Sequence, residues 1–372
     1  MKKSFFATVA LGALSNMAMA QSNVTIYGLL DAAVVSERGG AAGSVTKLTG
    51  GVSSASRLGF KGAEDLGNNL SAVFVLEEGV LIDTGASDVA APAGQAGQAF
   101  NRQSYVGLSS KTAGTITLGR QYTMLYNAIQ QVGDPFGAGY AGTAKNLFPV
   151  AGAEIRGSNA IAYSTPGING FSGDAMYALG EQAGNNTAGR QFGLGLNYAN
   201  GPLNTRLVYN NKNSDTTTNT TLATPTLASS HDIGRNVLFA ANYDFQVAKG
   251  YFMFGSDKGY NSAPLYNTTA KPFGTVFNPS LDSNDLLIGT TVPVGQSGTV
   301  MASYLRKNDK TTLNQDADQY GIGYSYALSK RTSTYVAYAK IKNKNGAGYT
   351  VGNNTEAGTG DKAFNIGMKH TF

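Results

Sequence analysis

The chain has 372 residues, of which 48 are glycine and none is cysteine or tryptophan. Charged residues make up 14% of it, where an average soluble domain has about 25%, while 42% of the residues are hydrophobic. This composition excludes a disordered, highly charged chain. The lack of cysteine excludes disulfide scaffolds, thiolate metal sites and cysteine nucleophiles. The net charge of +5 is too small to indicate nucleic acid as a partner.

The N-terminus has the pattern of a secretory leader. Two lysines precede a short apolar run at 5–14, and Ala18–Ala20 fits the small-x-small pattern of a cleavage site. A membrane anchor is the alternative, but a spanning helix needs about 20 apolar residues and this run is shorter. We therefore expect a signal peptide over 1–20, cleaved between Ala20 and Gln21, followed by one domain over 21–372.

The mature chain alternates between apolar and polar residues. In the last segment Phe364, Ile366 and Met368 share one face, while Asn365 and Lys369 lie on the other. A period of two with one apolar face predicts β-strands, and only residues 123–131 could form a short helix. The same alternation recurs in three further segments: 24–34, 70–77 and 171–177. In the second of these, Ser71 and Glu77 lie on the face opposite to the apolar residues Leu70, Ala72, Phe74 and Leu76.

Connectors of two lengths alternate between the predicted strands. Seven are short, and eight are long and rich in Gly, Asn, Ser and Thr. Fifteen connectors imply 16 strands, with short turns on one rim and long loops on the other. This asymmetry predicts a transmembrane antiparallel β-barrel rather than a secreted sandwich. The long connectors are expected at 36–52, 82–98, 123–154, 181–189, 213–233, 260–283, 307–316 and 343–361.

Five segments in this order, together with the terminal aromatic residue, resemble the Gram-negative general porins of the beta-proteobacterial type. They are VTIYGLLD at 24–31, SRLGFKGAED at 56–65, FNRQSYVGL at 100–108, LGRQY at 118–122 and DPFG at 134–137, with Phe372 at the end. The resemblance extends over the whole chain. It implies an all-β fold, a 16-stranded antiparallel transmembrane β-barrel in the outer membrane, present as a homotrimer.

The same resemblance implies the function and the partners. A porin is a channel for passive diffusion of small hydrophilic solutes and ions, so we expect no enzyme activity, cofactor or metal. The implied partners are outer-membrane lipids, lipopolysaccharide and the outer-membrane assembly machinery, which would read Phe372 as its signal. The resemblance also implies that the third long loop, about 123–154, folds into the lumen as a constriction.

The candidate constriction has a basic wall. Arg57 and Lys61 alternate with apolar Leu58 and Phe60, so they are expected to point into the lumen. Arg102 is expected to face the lumen together with Ser104 and Val106. By resemblance the basic wall consists of Arg57, Lys61, Arg102 and Arg156, and the inward loop contributes Asp134, Pro135, Phe136 and Gly137.

The expected ion preference follows from the balance of charges at this site. Cations facing a loop acid would set up a transverse field across the pore. The loop has few acids, Asp134 and Glu154, with Lys145 between them. We therefore expect weak anion selectivity.

Two other functions stay open at this level. A substrate-specific channel could use aromatic residues along its wall, and a surface adhesin would act through its loops. An enzyme is disfavoured because the chain has only two histidines, His231 and His370, and a Ser-His-Asp run in sequence is not a triad in space. The candidate aromatic residues are Tyr122, Tyr126, Phe136 and Tyr140.

Overall fold

The computed structural model describes residues 23–40, 43–88, 98–150, 155–182, 185–213, 217–218, 226–227, 233–259 and 281–372. The expected signal peptide, its cleavage site at Ala20 and Gln21, and the side chains of Glu154 and His231 lie outside these ranges. Within them, no helix is long and apolar enough to cross a membrane.

The described residues form twenty β-strands and three short helical turns. The helical turns are α1 (Met124–Ala128), a π-helical turn (Ile129–Gly133) and a 3₁₀ turn (Ala144–Asn146). The strands are β1 (Asn23–Gly40), β2 (Gly43–Gly50), β3 (Arg57–Gly67), β4 (Leu70–Leu81), β5 (Ala86–Ser87), β6 (Gln103–Ser110), β7 (Gly114–Tyr122), β8 (Arg156–Ser164), β9 (Phe171–Ala178), β10 (Gln191–Asn200), β11 (Leu203–Asn213), β12 (Thr217–Thr218), β13 (Thr226–Leu227), β14 (Ile233–Asp244), β15 (Lys249–Lys258), β16 (Asp282–Val294), β17 (Gly298–Asp309), β18 (Ala317–Ala327), β19 (Thr332–Asn343) and β20 (Lys362–Thr371).

Sixteen of these strands close into one antiparallel barrel. Each pairs with the next along the chain, and β20 pairs with β1, where Val34 lies opposite Ile366. The four strands outside this ring are β2, β5, β12 and β13. The predicted 16-stranded fold is therefore confirmed, and closure leaves no free edge in the membrane.

The first long connector differs from the expectation of a loop over 36–52. There β1 continues to Gly40, and β2 returns beside its upper part, with Val34 opposite Leu48. Below that level β1 pairs with β3, where Leu29 lies opposite Arg57. Residues 43–50 therefore pair with β1 as a hairpin instead of forming a loop.

The strands carry an outward apolar face and an inward polar face. On β1 the outward Val34 is 44% exposed, whereas the inward Asp31 and Glu37 are buried. On β20 the outward Ile366 and Met368 are 50% and 52% exposed. This is the arrangement of a barrel whose outer face contacts lipid.

The two rims of the barrel differ as the sequence predicts. Turns as short as 68–69 and 201–202 join strands at one rim, and segments as long as 123–155 join them at the other. The barrel closes at the short-turn rim, where Gly28 and Phe372 exchange two backbone hydrogen bonds of 3.1 Å. The ring of Phe372 covers Gly28, where a Cβ would lie 2.2 Å from its Cζ. The role of Phe372 as an assembly signal stays a prediction.

Candidate functional site

The loop that follows β7 crosses the lumen to the opposite wall. β7 is the fifth strand of the ring and β17 the thirteenth, so they lie eight places apart in a ring of sixteen. Yet Lys307 of β17 donates from Nζ to the carbonyl of Leu147 at 3.0 Å. Gln319 of β18 donates from Nε2 to the carbonyls of Gly142 and Thr143, at 3.0 and 3.2 Å. We call residues 123–150 the inward loop.

Local packing explains why the inward loop is compact. Thr123 caps α1, since its Oγ1 accepts from the N–H of Tyr126 at 3.1 Å. The ring of Phe136 packs directly on the backbone of Gly142 and of Gly323 in β18. A Cβ added at these positions would lie only 2.5 Å and 3.0 Å from the ring. Glycine at both positions therefore lets the loop approach the wall closely.

Asp134 holds the turn of the inward loop together. Its carboxylate accepts the backbone N–H groups of Phe136 (2.9 Å), Ala138 (3.0 Å) and Ala144 (2.9 Å). Burial raises the pKa of Asp134 to about 6, although these three hydrogen bonds act in the opposite sense. Asp134 is 3% exposed, so its carboxylate lies inside the loop and not on the lumen surface, where we expected it.

The residues that follow Asp134 stabilise the same turn of the inward loop. Pro135 reaches β16, where a Cβ at Gly289 would lie 2.7 Å from its Cγ. Gly137 has φ +59, a conformation that glycine adopts without strain. The four residues Asp134, Pro135, Phe136 and Gly137 thus shape the loop and attach it to the far wall.

Three of the four expected basic residues meet around Glu77 and Tyr122. Arg102 binds Glu77 through Nε at 2.6 Å and donates from Nη2 to the hydroxyl of Tyr122 at 2.6 Å. Arg57 Nη1 lies 3.8 Å from the same carboxylate. The guanidinium carbon of Arg156 lies 4.8 Å from the centre of the Tyr122 ring. We call Arg57, Arg102 and Arg156 the arginine cluster.

The argument that strand parity turns Arg102 toward the lumen was wrong, although Arg102 does contact the inward-facing Glu77. Val106 is 56% exposed on the lipid face, so the parity that Arg102 shares with it points outward. Arg102, however, precedes the first residue of β6 and lies in a bend. Its side-chain direction is therefore set by the bend and by Glu77, not by the alternation of the strand.

Lys61 lies apart from the arginine cluster. It is opposite Thr25 and Val75 on the neighbouring strands, and its Nζ lies 5.2 Å from the centre of the Tyr27 ring. Tyr27 in turn donates its hydroxyl to Glu77 at 3.1 Å. Lys61 is thus connected to the cluster only through Tyr27, on the side of the short-turn rim.

A cavity of about 360 Å³ separates the barrel wall from the inward loop. It is lined by the cations Arg102, Arg156 and Lys145 and by the acids Asp88 and Glu356. Alternation already placed Glu77 with the inward residues of β4. Asp88 and Glu356 lie in loops, whose conformation no sequence pattern predicts.

A second loop, 344–361, closes over the inward loop. Asn354 donates from Nδ2 to the carbonyl of Ala138 at 2.8 Å. Its own carbonyl accepts a hydrogen bond from Nζ of Lys145. Burial, together with the charges of Arg156 and Arg102, lowers the pKa of Lys145 to about 7.

The expected aromatic residues pack within the inward loop instead of forming a track along the wall. Tyr126, Phe136 and Tyr140 are 3%, 2% and 8% exposed. Tyr122 stacks on Tyr126 with the ring centres 5.0 Å apart. This arrangement does not favour a substrate-specific channel. His370 lies on the outward face of β20, where its Nδ1 is 2.9 Å from Thr332 Oγ1.

Comparison with known proteins decides the family. A sequence model described as Gram-negative porin matches residues 7–346. The chain belongs to the Gram-negative porin family. It is 32% identical to outer membrane porin protein 32 of Delftia acidovorans, with 100% of both chains covered.

Solved structures agree with this assignment. An anion-selective porin from Comamonas acidovorans is 28% identical, has a TM-score of 0.71, and covers 94% of this chain and 100% of its own. The trimer form of OmpT from Vibrio cholerae has a TM-score of 0.65 over 94% of this chain and 99% of its own. At 15% identity it shows the fold alone. This porin is therefore an outer-membrane channel for passive diffusion.

Lys307 tethers the far end of the inward loop in this porin. Its side chain is fully buried, and Nζ donates to Asp285 at 2.9 Å, to Ser283 Oγ at 3.0 Å and to the carbonyl of Leu147 at 3.0 Å. A buried ammonium needs such partners, because desolvation costs several kcal/mol per ion. One cation thus joins the loop to two strands.

The wall beside this tether is braced by buried side-chain hydrogen bonds. Gln191 donates to Asn210 at 3.1 Å, Asn210 to Asn236 at 3.3 Å, and Asn236 to Asp257 at 2.6 Å. These bonds link β10, β11, β14 and β15. Asp257 and Asp285 lie on adjacent strands, so the chain of bonds leads to the tether and stiffens the wall that receives the loop.

We predict that Lys307→Met loosens the inward loop. The substitution removes the bond to Leu147 and leaves Asp285 buried without its cation, a change that costs about 3–5 kcal/mol in comparable pairs. Single-channel recordings should show more current noise and transient closures, and the folded barrel should unfold at a lower temperature.

Two further variants separate the tether from general destabilisation. Lys307→Met with Asp285→Asn removes both charges and should recover most of the thermal stability, but not the quiet current. Arg306→Met changes the adjacent cation on the outward face and should leave the current unchanged. A quiet channel in both Lys307→Met variants would show that this tether does not hold the loop.

Proposed function

We propose that this porin is a general, weakly anion-selective diffusion channel. Its eyelet lies between the inward loop and the arginine cluster. The observation that carries this proposal is Arg156, since no described carboxylate lies within 4 Å of its guanidinium, whereas Arg57 and Arg102 share Glu77. Arg156 lines the same cavity as the buried Lys145. The lining of this cavity has three cations and two acids, so a solute that enters it meets a net positive charge while Lys145 is protonated.

The size of the expected effect is small. In water two unit charges 4 Å apart interact by about 1 kcal/mol, and at 0.1 M salt charges are screened beyond about 10 Å. An arginine without a described carboxylate partner can thus raise the local concentration of an anion by a factor of about five where water screens it. The anion-selective relative from Comamonas acidovorans, similar over nearly the whole chain, supports the same sign.

We predict that Arg156→Gln weakens the anion preference, because it removes the cation that has no described carboxylate within 4 Å. Arg57→Ala with Arg102→Ala should move the preference further, toward cations, since Glu77 then stays without its partners. The reversal potential of purified channels in a KCl gradient measures both effects. Lys258→Gln, on the outward face, is the matched control and should behave as the unaltered protein.

The outcomes are distinct. A clear cation preference of the unaltered channel would contradict the proposed selectivity. An unchanged reversal potential in both arginine variants, with folded barrels, would remove the arginine cluster from the eyelet.

We predict that the anion preference also falls as the pH rises above about 7. Lys145, with its pKa lowered to about 7, is charged below that pH and neutral above it. Asp134, with its pKa raised to about 6, keeps its charge nearly constant from about pH 7 to about pH 9, the range of the measurement. Lys145→Gln should flatten the pH dependence of the reversal potential, and Lys61→Gln should retain it. The same pH dependence in Lys145→Gln would contradict the assignment.

We also propose that the chain assembles as a homotrimer. The family resemblance implies this state, and the related OmpT structure is described as a trimer form. Light scattering of the detergent-purified protein should give a protein mass of three chains. A mass of one chain under conditions in which the protein conducts would contradict the proposal.

A further inference from the structure

A second cavity, of about 460 Å³, lies between the inward loop and the barrel wall. Gln131 and α1 line it from the loop, and inward residues of β6, β7, β8, β9 and β11 line it from the wall. Thr115 and Ser164, next to short turns, place it on the short-turn side of the loop. It shares no lining residue with the cavity beside the arginine cluster. Its volume is within the range of about 300–1,000 Å³ that is typical of small-molecule sites.

This second cavity has one acid and one cation in its lining, Asp174 of β9 and Arg206 of β11. The strand β10 lies between them. In the part of the chain that the structure describes, no cation lies within 4 Å of Asp174 and no carboxylate within 4 Å of Arg206. The two charges therefore form no ion pair, either with each other or with a described neighbour, and both are available to a solute.

Uncharged hydrogen-bond donors hold the carboxylate of Asp174 in a fixed orientation. Ser164 donates from Oγ to Oδ1 at 2.6 Å, and Asn197 donates from Nδ2 to Oδ2 at 2.6 Å. These groups orient the carboxylate without neutralising it. An ionised carboxylate accepts up to about four hydrogen bonds, so each oxygen can accept another one. An ammonium group would supply both the donor and the missing positive charge.

Arg206 has an incomplete set of hydrogen bonds. Its Nη2 donates to Oε1 of Gln131 at 2.6 Å, whereas Nε is buried and has no hydrogen-bond partner among the described residues. Such a buried donor is rare in native proteins. Nε and Nη2 form the edge of the guanidinium to which a carboxylate binds with two parallel hydrogen bonds. The exposed amide of Gln131 offers one oxygen, so a carboxylate can replace it and satisfy both donors.

The rest of the described lining is uncharged. It includes the polar side chains of Thr117, Gln121 and Asn127, and Thr117 donates from Oγ1 to Gln121 Oε1 at 2.6 Å. The cavity beside the arginine cluster differs, because its lining has three cations and two acids. The second cavity thus favours a solute that has a charge of each sign and no net charge.

We propose that the second cavity is a weak binding site for zwitterions, namely amino acids with an uncharged side chain. The ammonium group binds Asp174, and the carboxylate binds Nε and Nη2 of Arg206 in place of Gln131. Binding in a wet lumen is weak, which a channel requires if the solute is to leave again. The inference rests on the diffusion channel but not on its proposed anion preference, since a zwitterion has no net charge.

Four compounds of nearly equal size separate the two charges of the ligand. L-Alanine has both charges, L-lactate has only the carboxylate, L-alaninamide has only the ammonium group, and L-lactamide has neither. Saturation-transfer NMR of the purified porin in deuterated detergent at neutral pH should show saturable binding of L-alanine. Each missing charge should weaken binding about tenfold, because hydrogen bonds between charged groups are stronger than neutral ones.

The variants assign each ligand charge to a residue. Asp174→Asn should abolish the preference for L-alanine over L-lactate, and Arg206→Gln should abolish the preference over L-alaninamide. Arg206→Lys retains the cation but not the paired donors, so it should bind L-alanine with intermediate strength. Lys258→Gln with Asp282→Asn removes one cation and one acid from the outer surface. This double variant is the matched control and should bind as the unaltered protein.

Several results would overturn the proposal. Equal binding of all four compounds would show that charge does not select the ligand. Binding of L-lactate or of L-alaninamide as tight as that of L-alanine would assign the cavity to anions or to cations alone. Unchanged L-alanine binding in Asp174→Asn and Arg206→Gln, or an equal loss in the control, would place the ligand elsewhere.

Two further points keep the test decisive. If the variants do not fold, the comparison of the four compounds on the unaltered protein still decides. A cation preference of the unaltered channel in a KCl gradient would contradict the proposed anion selectivity and leave the binding of L-alanine unaffected, so the two proposals fail separately.

Discussion

Every strand of this barrel depends on one constraint: in lipid, a backbone amide has no water to bind. Closure of β20 onto β1 satisfies that constraint, because the ring then has no free edge. Once the ring is closed, the pleat gives each strand one face toward lipid and one toward the lumen. The low content of charged residues and the mean hydropathy near zero are averages over these two faces.

Closure also creates an inner wall on which the inward loop can fold. The loop brings apolar residues such as Leu125 and Ile129 to a lumen that would otherwise be filled with water. Glycines on β18 let it approach closely, and Lys307 binds its carbonyl from the far side. One part of the barrel interior is therefore a packed apolar core and the other part is the channel. The position of the inward loop, which forms this core, determines the width of the channel.

The alternation of apolar and polar residues predicted the side-chain directions within regular strands, and it failed where the backbone is not an extended strand. It placed Arg57 and Glu77 inward, because both lie within regular strands. It misassigned Arg102, which lies in a bend before β6, and it could not show that three backbone amides would enclose Asp134. The loop acids Asp88 and Glu356 reach the eyelet through loop conformation, which the sequence pattern does not encode.

The lumen uses its cations under two electrostatic conditions. Water and Glu77 weaken the field of the arginine cluster, so the eyelet can favour one sign of ion without holding it. Lys307 is fully buried and has Asp285, Ser283 and the carbonyl of Leu147 as fixed partners, so its charge holds the inward loop in place. A pore needs weak binding for flux, whereas the tether of a loop needs partners that stay. The distribution of carboxylates, more than the number of cations, separates these two tasks.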